Sequence, residues 1–138
     1  MTPARTVVFV CPHGAAKSVL AAAYFQRLAD ARGARLRAVV AGTEPDPEVA
    51  PGVAAALLAE GLDVQGLRPR RVTADELAAA RRVVSLGADL ESLARPGLLI
   101  TRWDDVPSMT ADLGAARERI AARVAGLLDE LTRTEGRP

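Results

Sequence analysis

The chain has 138 residues, of which 49% are hydrophobic and 25% charged, and its formal net charge is +1. This length predicts one soluble domain over residues 1–138 whose core needs no metal or disulfide, and the single cysteine excludes a disulfide within the chain. The balanced charge argues against a nucleic-acid partner, no apolar run is long enough to cross a membrane, and the start shows no signal-peptide pattern, so we expect a cytoplasmic protein.

The first half of the chain predicts two strands and two helices. Residues 6–10 are β-branched or aromatic and too few for a helix, so they predict a buried strand. Residues 18–32 carry apolar side chains at helical spacing, and Gly33 just beyond them predicts the end of a helix. The predicted elements that follow are a strand at 36–41, a proline-rich loop at 42–52 and a helix at 53–60.

The second half predicts two more strands separated by helices. Thr73 and Glu76 have the spacing of a capping box, in which each side chain caps the other's backbone N–H, so a helix should run from there to about Ala80. The remaining predicted elements are strands at 82–86 and 98–101, a short helix at 89–95, a loop at 102–109 and a helix at 111–131. Apolar strands that alternate with helices predict an α/β fold, a doubly wound four-stranded parallel sheet with helices on both faces.

The turn between the first strand and the first helix, residues 11–17, holds an unusual set of side chains. Cys11, His13 and Lys17 are each the only residue of their type, and the 18 basic residues are 17 arginines and this one lysine. A coding bias against lysine would explain the rarity, but the same bias would have favoured arginine at position 17. In doubly wound folds ligands bind beyond the carboxyl ends of the strands, so this turn is the predicted ligand site.

The composition of the turn predicts a site for a tetrahedral anion. Backbone amides at a helix N-terminus attract anions, and Gly14 allows the loop a positive φ. Cys11 would lie beneath these amides, where the cations of Lys17 and protonated His13 and the hydroxyl of Ser18 favour a thiolate nucleophile. The alternative is that these residues have no function: Cys11 is a buried apolar residue, Lys17 a solvated charge and His13 a surface residue. That interpretation is the better one for each residue taken alone, but not for the three together in one turn.

Four segments, taken in order, resemble the low-molecular-weight protein tyrosine phosphatase superfamily, which includes thiol-dependent arsenate reductases. The superfamily signature is an apolar strand, then Cys, five residues, Arg, and Ser or Thr; here Cys11, Lys17 and Ser18 hold those positions. The other three segments are Val40-Ala41-Gly42-Thr43, Gly61-Leu62-Asp63 and Trp103-Asp104-Asp105-Val106-Pro107. The last of these stands at the late loop that carries the family's catalytic acid, so the resemblance covers nearly the whole chain.

The resemblance implies a mechanism of phosphate-ester hydrolysis. Cys11 would attack phosphorus and form a phosphocysteine that water then hydrolyses, and Ser18 would hydrogen-bond the thiolate. The oxyanion would be held by the residues of the turn: His13, Gly14, Ala15, Ala16, Lys17 and Ser18.

Three departures from the family pattern change these expectations. Lys17 replaces the family's arginine, and an ammonium lacks the planar fork with which a guanidinium contacts two oxygens. Ser108 stands where the family has the aspartate of an Asp-Pro pair, so Asp104 and Asp105 become the candidate acids, unless both are solvated loop charges. Trp103 is the only aromatic residue in a predicted loop, either at the pocket rim or as a structural plug, so we expect no deep phosphotyrosine slot.

His13 is an addition to the family pattern, and its imidazolium would bind the oxyanion or donate a proton to the leaving group.

The sequence predicts an enzyme that hydrolyses a phosphate monoester, with weak activity on phosphotyrosine. Its substrate would be a small oxyanion or a phosphorylated molecule, and it would need no metal or cofactor. One alternative is arsenate reduction or arsenate transfer to a low-molecular-weight thiol such as mycothiol or glutathione, since the chain has no second cysteine. The other is a non-catalytic oxyanion-binding protein.

Overall fold

A parallel sheet of four strands forms the centre of the computed structural model, which describes residues 5–135. The strands are β1 (Thr6–Cys11), β2 (Arg37–Gly42), β3 (Arg82–Ser85) and β4 (Ile100–Arg102), in the order β2-β1-β3-β4. All neighbouring strands run parallel, with Cys11 opposite Gly42 and Val10 opposite Ser85. The predicted domain limits, residues 1 and 138, lie outside the described residues.

Helices cover both faces of this sheet. Within residues 5–135 they are α1 (Lys17–Ala31), α2 (Pro51–Ala59), α3 (Ala74–Ala79) and α4 (Leu113–Glu135). Successive side chains of β1 point to opposite faces: Phe9 packs in the core that α1, α2 and α4 complete, while Val8 packs with Leu77 of α3. Burial on both faces explains why the strand is apolar throughout, and the predicted doubly wound α/β fold is confirmed. None of the helices in this range has the length and apolar character needed to cross a bilayer.

The start of α3 forms only half of the predicted capping box. Thr73 Oγ1 accepts a hydrogen bond from Glu76 N at 3.2 Å, as expected. The Glu76 carboxylate instead accepts from the Arg70 guanidinium at 2.6 Å, because a charged donor makes a stronger hydrogen bond than a neutral amide. The predicted helix is therefore confirmed, and the predicted bond from Glu76 back to Thr73 is wrong.

The predicted short helix at 89–95 is also wrong. Only a turn forms there, over residues 91–93, after Asp89 Oδ1 accepts a hydrogen bond from Glu91 N at 3.0 Å. Pro96 follows closely, and a proline neither donates a backbone hydrogen bond nor favours helical geometry in the residue before it. The segment is consequently too short to propagate a helix.

Several element boundaries differ from the predicted ones, and the starts of β4 and α4 do so for local reasons. β4 begins at Ile100, because a turn at Gly97, with φ of 87°, occupies the residues before it. α4 begins at Leu113, because Asp112 caps it by accepting a hydrogen bond from Ala115 N at 2.9 Å. Both shifts leave the order of elements as predicted.

Candidate functional site

Cys11 ends β1 and is buried, with 4% of its surface exposed. Its Sγ lies 3.0 Å from Oγ of Ser18, which is in the first turn of α1 and fully buried. A hydroxyl donates to a thiolate and accepts from a thiol, so this contact suits either form of the sulfur. The predicted contact between Cys11 and Ser18 is therefore present at the carboxyl edge of the sheet.

The loop between β2 and α2 supports the turn by binding its carbonyl groups. Three backbone hydrogen bonds do so: Glu44 N to Pro12 O at 2.7 Å, Asp46 N to His13 O at 3.0 Å and Ala50 N to Ala15 O at 2.9 Å. The C=O and N–H of a trans peptide point in opposite directions. The amides that follow these carbonyls therefore point away from the loop.

The turn carries the backbone amides of residues 13–18; His13, Ala16 and Lys17 line the cavity at Cys11, whereas Gly14, Ala15 and Ser18 do not. Within residues 5–135, none of these N–H groups donates a hydrogen bond to another protein group. Backbone donors that are left unpaired cost free energy unless water or an anion accepts from them. The turn thus has the donor arrangement of a site for a tetrahedral anion.

Two glycines allow the turn and β2 to approach each other. Gly14 has a φ of 60°, which confirms the positive φ predicted for it. A Cβ added to Gly42 would lie 2.7 Å from Gly14 N and 2.9 Å from His13 C, closer than non-bonded atoms approach. Gly42 entered the sequence analysis only as part of a resemblance, and the structure shows its role, which is to let the β2–α2 loop run alongside the turn.

Lys17 lines the cavity at Cys11, but its ammonium also binds the late loop. Nζ donates to the carbonyl oxygen of Val106 at 3.2 Å, across a separation of 89 residues. An ammonium has three N–H groups, so two are left for solvent or an anion. The sequence did not predict this second role, because nothing local to Lys17 indicates a partner so far along the chain.

His13 is an exposed side chain held by the β2–α2 loop. Its Nδ1 lies 3.2 Å from the carbonyl oxygen of Glu44 and 3.3 Å from Oδ1 of Asp46. The same side chain lines the cavity at Cys11. Sequence reasoning missed Asp46, because an aspartate between two prolines in a loop carries no signal of its partner.

The structure does not support Asp105 as a general acid. Its carboxylate binds Arg123 and accepts a hydrogen bond from Arg119 at 2.5 Å, and both arginines belong to α4. These bonds, that of Arg123 first, hold the pKa of Asp105 below its ordinary value, whereas a general acid must keep its proton near neutral pH. Asp105 thus anchors the late loop to α4, and its role as the acid stays a prediction.

Asp104 and Ser108 occupy other parts of the late loop. Asp104 is exposed, does not line the cavity at Cys11, and makes no hydrogen bond or ion pair within the described part of the chain. Ser108 Oγ lies 3.0 Å from Thr110 Oγ1 and accepts from Ala111 N at 3.3 Å, so it stabilises the turn before α4. A catalytic role for Asp104 stays a prediction.

Trp103 is a core residue. It is 5% exposed, and its ring centroid lies 5.9 Å from that of Phe9 on β1. Edge or tilted packing of aromatic rings at this distance is favourable in a core. Of the two predicted positions, the structural plug is confirmed and the pocket rim is wrong.

The cavity at Cys11 has a volume of about 270 Å³, which accommodates a small oxyanion. Its lining residues are Cys11, Pro12, His13, Ala16, Lys17, Leu86, Gly87 and Met109. Leu86 and Met109 were not predicted, since single apolar residues carry no chemical signal in a sequence.

A larger groove, of about 610 Å³, lies between α1 and the edge of β2, but no cysteine, serine or histidine lines it. Within residues 5–135 no group of three or more potential ligands is placed to hold a metal ion.

A buried thiol lies at the end of the first parallel strand and contacts a hydroxyl in the first turn of the following helix, so the fold and the site define a doubly wound α/β protein with a cysteine at its strand-to-helix turn. The chain belongs to the low molecular weight phosphotyrosine protein phosphatase family, whose profile matches residues 6–98. That match ends before the late loop. A search of curated protein sequences finds no significant match.

Solved structures with the same fold include arsenate reductases and protein tyrosine phosphatases. YfkJ from Bacillus subtilis has a TM-score of 0.86 and 22% identity, over 96% of this chain and 98% of that one. A thioredoxin-dependent arsenate reductase of Corynebacterium glutamicum has a TM-score of 0.83 and 24% identity; 96% of this chain spans only 64% of that protein. A low molecular weight protein tyrosine phosphatase from T. tengcongensis has a TM-score of 0.76 and 22% identity, over 95% and 99% of the two chains. At these identities the likeness shows the fold alone.

Proposed function

We propose that this protein uses a thiolate at Cys11 to hydrolyse phosphate monoesters. The observation that carries the proposal is the buried Cys11 thiol in contact with Ser18 Oγ, in a turn whose backbone amides at residues 13–18 have no hydrogen-bond partner in the described part of the chain. These amides supply hydrogen bonds to the charge that accumulates on the oxygens of a phosphoryl group in the transition state. Membership of the family supports the same chemistry.

The proposed reaction has two displacements at phosphorus. The Cys11 sulfur attacks first, so that an S–P bond forms while the bond to the leaving oxygen breaks. Water then attacks the phosphocysteine, the S–P bond breaks, and phosphate and the thiolate are released. The Ser18 hydroxyl donates to the sulfur whenever it is anionic, and so stabilises it both before the first step and after the second.

Lys17 supplies positive charge at the cavity in this proposal. Its ammonium keeps two N–H groups beyond the one that binds Val106. A point charge of this kind attracts the oxyanion but does not bind two of its oxygens in a plane as a guanidinium would. We therefore propose a slower first step than an arginine at position 17 would support.

The substrate we propose is a small phosphate ester other than phosphotyrosine. Among the residues that line the cavity at Cys11, none is aromatic, and Trp103 packs against Phe9 in the core. The apolar walls come from Leu86 and Met109. A phenolic ring would thus find no aromatic wall, and we expect phosphotyrosine to be hydrolysed slowly.

Two features favour functions other than the hydrolysis of phosphate esters. The single cysteine of the chain favours arsenate reduction in which a low-molecular-weight thiol, the only co-reactant the proposal requires, supplies the reducing equivalents. The engagement of Asp105 by two arginines favours an oxyanion-binding protein with no turnover. Both alternatives use the same amides and the same cavity.

Hydrolysis of p-nitrophenyl phosphate by the wild type and by Cys11→Ser separates these functions. We expect turnover by the wild type that Cys11→Ser abolishes, while calorimetry shows that both proteins bind phosphate. Arsenate reduction with added mycothiol or glutathione, in the absence of ester hydrolysis, would replace the proposal by the reductase alternative. Binding of phosphate without either reaction would establish the receptor.

A further inference from the structure

We infer that Asp46 is a positioning residue for His13, and that the pair orients Nε2 of His13 as the atom that exchanges a proton at the Cys11 site. The inference rests on the proposed function. It assigns a role to Asp46 and moves the acid of the reaction from the late loop to the turn itself.

The contacts of the His13 ring determine which nitrogen carries hydrogen. Nδ1 lies 3.2 Å from the carbonyl oxygen of Glu44 and 3.3 Å from the carboxylate of Asp46. A carbonyl and an ionised carboxylate only accept hydrogen bonds, so Nδ1 has to be the donor. In the neutral ring Nε2 then holds the lone pair, and in the imidazolium it holds the proton that can be given away.

Backbone hydrogen bonds keep Asp46 opposite His13. Asp46 N donates to His13 O at 3.0 Å, and Glu44 N donates to Pro12 O at 2.7 Å, so the two segments are held in register. The close approach at Gly42 makes that register possible. The side chains of His13 and Asp46 are 58% and 50% exposed, and an exposed ion pair contributes little stability. We therefore assign to the His13–Asp46 pair the orientation of the imidazole ring rather than a contribution to stability.

The reaction needs a proton donor, and Asp104, Asp105 and Ser108 of the late loop do not line the cavity at Cys11. Asp105 is bound by Arg119 and Arg123, and Ser108 stabilises a turn. His13 lines the same cavity as Cys11 and Lys17, and among the described residues Asp46 is the charged group in contact with its ring. His13 is thus the titratable group at the cavity other than the nucleophile and the lysine.

The proton transfers balance over the two displacements. In the first, the imidazolium gives the Nε2 proton to the leaving oxygen as the S–P bond forms and the P–O bond breaks. In the second, neutral Nε2 accepts a proton from the attacking water as the S–P bond breaks, which restores the imidazolium and the thiolate. Asp46 keeps its charge throughout and moves no proton.

The positioning role is tested by the tautomer of His13, measured from ¹⁵N chemical shifts. The chain has a single histidine, so the signals need no assignment. We expect hydrogen on Nδ1 in the neutral ring of the wild type and a weaker preference for it in Asp46→Asn, where the carbonyl oxygen of Glu44 still accepts but the charge of Asp46 is gone. Glu48→Gln is the matched control, since it removes an exposed charge from the same loop, and it should behave as the wild type. An equal ratio of the two tautomers in wild type and Asp46→Asn would overturn the inference.

The proton-transfer role is tested by kcat/KM for two esters, p-nitrophenyl phosphate with a good leaving group and phenyl phosphate with a poor one. General acid catalysis contributes 10²–10⁴-fold, so we expect Asp46→Asn to lose about tenfold on phenyl phosphate and less than about twofold on p-nitrophenyl phosphate. His13→Ala should show the same selectivity with a larger loss. Equal losses on both esters would overturn the role of Nε2. A wild type without Cys11-dependent turnover would instead refute the proposed function, and the tautomer measurement would still decide whether Asp46 positions His13.

Discussion

Lys17 Nζ lies 3.2 Å from the carbonyl oxygen of Val106 and so joins the first turn of α1 to the late loop. The same loop carries Met109 into the wall of the cavity at Cys11. The only lysine of the chain thus has two tasks, one as a cation beside the thiol and one as a support for the loop. A change at position 17 should affect both tasks.

Lys17→Arg should raise kcat/KM for p-nitrophenyl phosphate by about tenfold, because a guanidinium binds two phosphoryl oxygens through its planar fork. Lys17→Met should lower kcat/KM and weaken phosphate binding, and it should reduce the free energy of unfolding by about 1–3 kcal/mol through the lost bond to Val106. Arg68→Met, which removes an exposed charge elsewhere, is the control and should leave kcat/KM, phosphate binding and the free energy of unfolding unchanged. An arginine variant no faster than the wild type would contradict the role given to the cation.

Gly42→Ala should destabilise the protein and abolish turnover. The added Cβ would meet Gly14 N at 2.7 Å, so backbone has to move, at a cost on the order of 1–3 kcal/mol. Gly52→Ala is the matched control, because a Cβ there meets nothing within 4 Å. Urea unfolding gives the free energy of unfolding of both variants. A Gly42→Ala protein as stable as Gly52→Ala would show that the close approach is unimportant.

Asp105→Asn should weaken the attachment of the late loop to α4 by removing the charge that Arg119 and Arg123 bind. Hydrogen exchange over residues 103–108 should become faster. The kcat/KM values for p-nitrophenyl phosphate and phenyl phosphate should fall by the same factor, because an anchoring residue does not sense the leaving group. A loss confined to phenyl phosphate would restore Asp105 as the acid.

Glu60 should make stability depend on acid pH. Tyr24 donates to its carboxylate at 2.6 Å and Arg117 at 2.7 Å, and the Tyr24 bond is the main cause that lowers the pKa of Glu60 below 4.5. The folded chain therefore releases this proton more readily than the unfolded chain. The resulting stability is complete above about pH 4.5 and is lost as the pH falls through the lowered value.

Glu60→Gln should reduce the free energy of unfolding at pH 7 by about 1 kcal/mol and flatten its dependence on pH in that acid range. Glu118→Gln, an exposed glutamate of α4, is the control and should keep the wild-type slope. Thermal unfolding between pH 7 and pH 3 makes the comparison. An unchanged slope in Glu60→Gln would show that the contact with Tyr24 does not persist in solution.

The fold and the centre of the site were predictable, because both depend on residues that are close in the chain. The apolar run of β1, the glycine at 14 and the helical spacing after Ser18 determine a strand, a turn and a helix in succession. That succession places the thiol of Cys11 next to the hydroxyl of Ser18. Errors such as the helix at 89–95 came from competition among local signals, where a nearby proline prevailed.

Only the tertiary structure decided what each side chain at the site contacts. Lys17 meets Val106 and His13 meets Asp46 because separate segments pack side by side, and Trp103 enters the core because Phe9 offers it an apolar partner. Asp105 faces α4 because two arginines one helical turn apart both reach its carboxylate. Periodicity and spacing report the conformation of one segment, whereas these contacts depend on the distance between segments, which is a property of the packed sheet and helices.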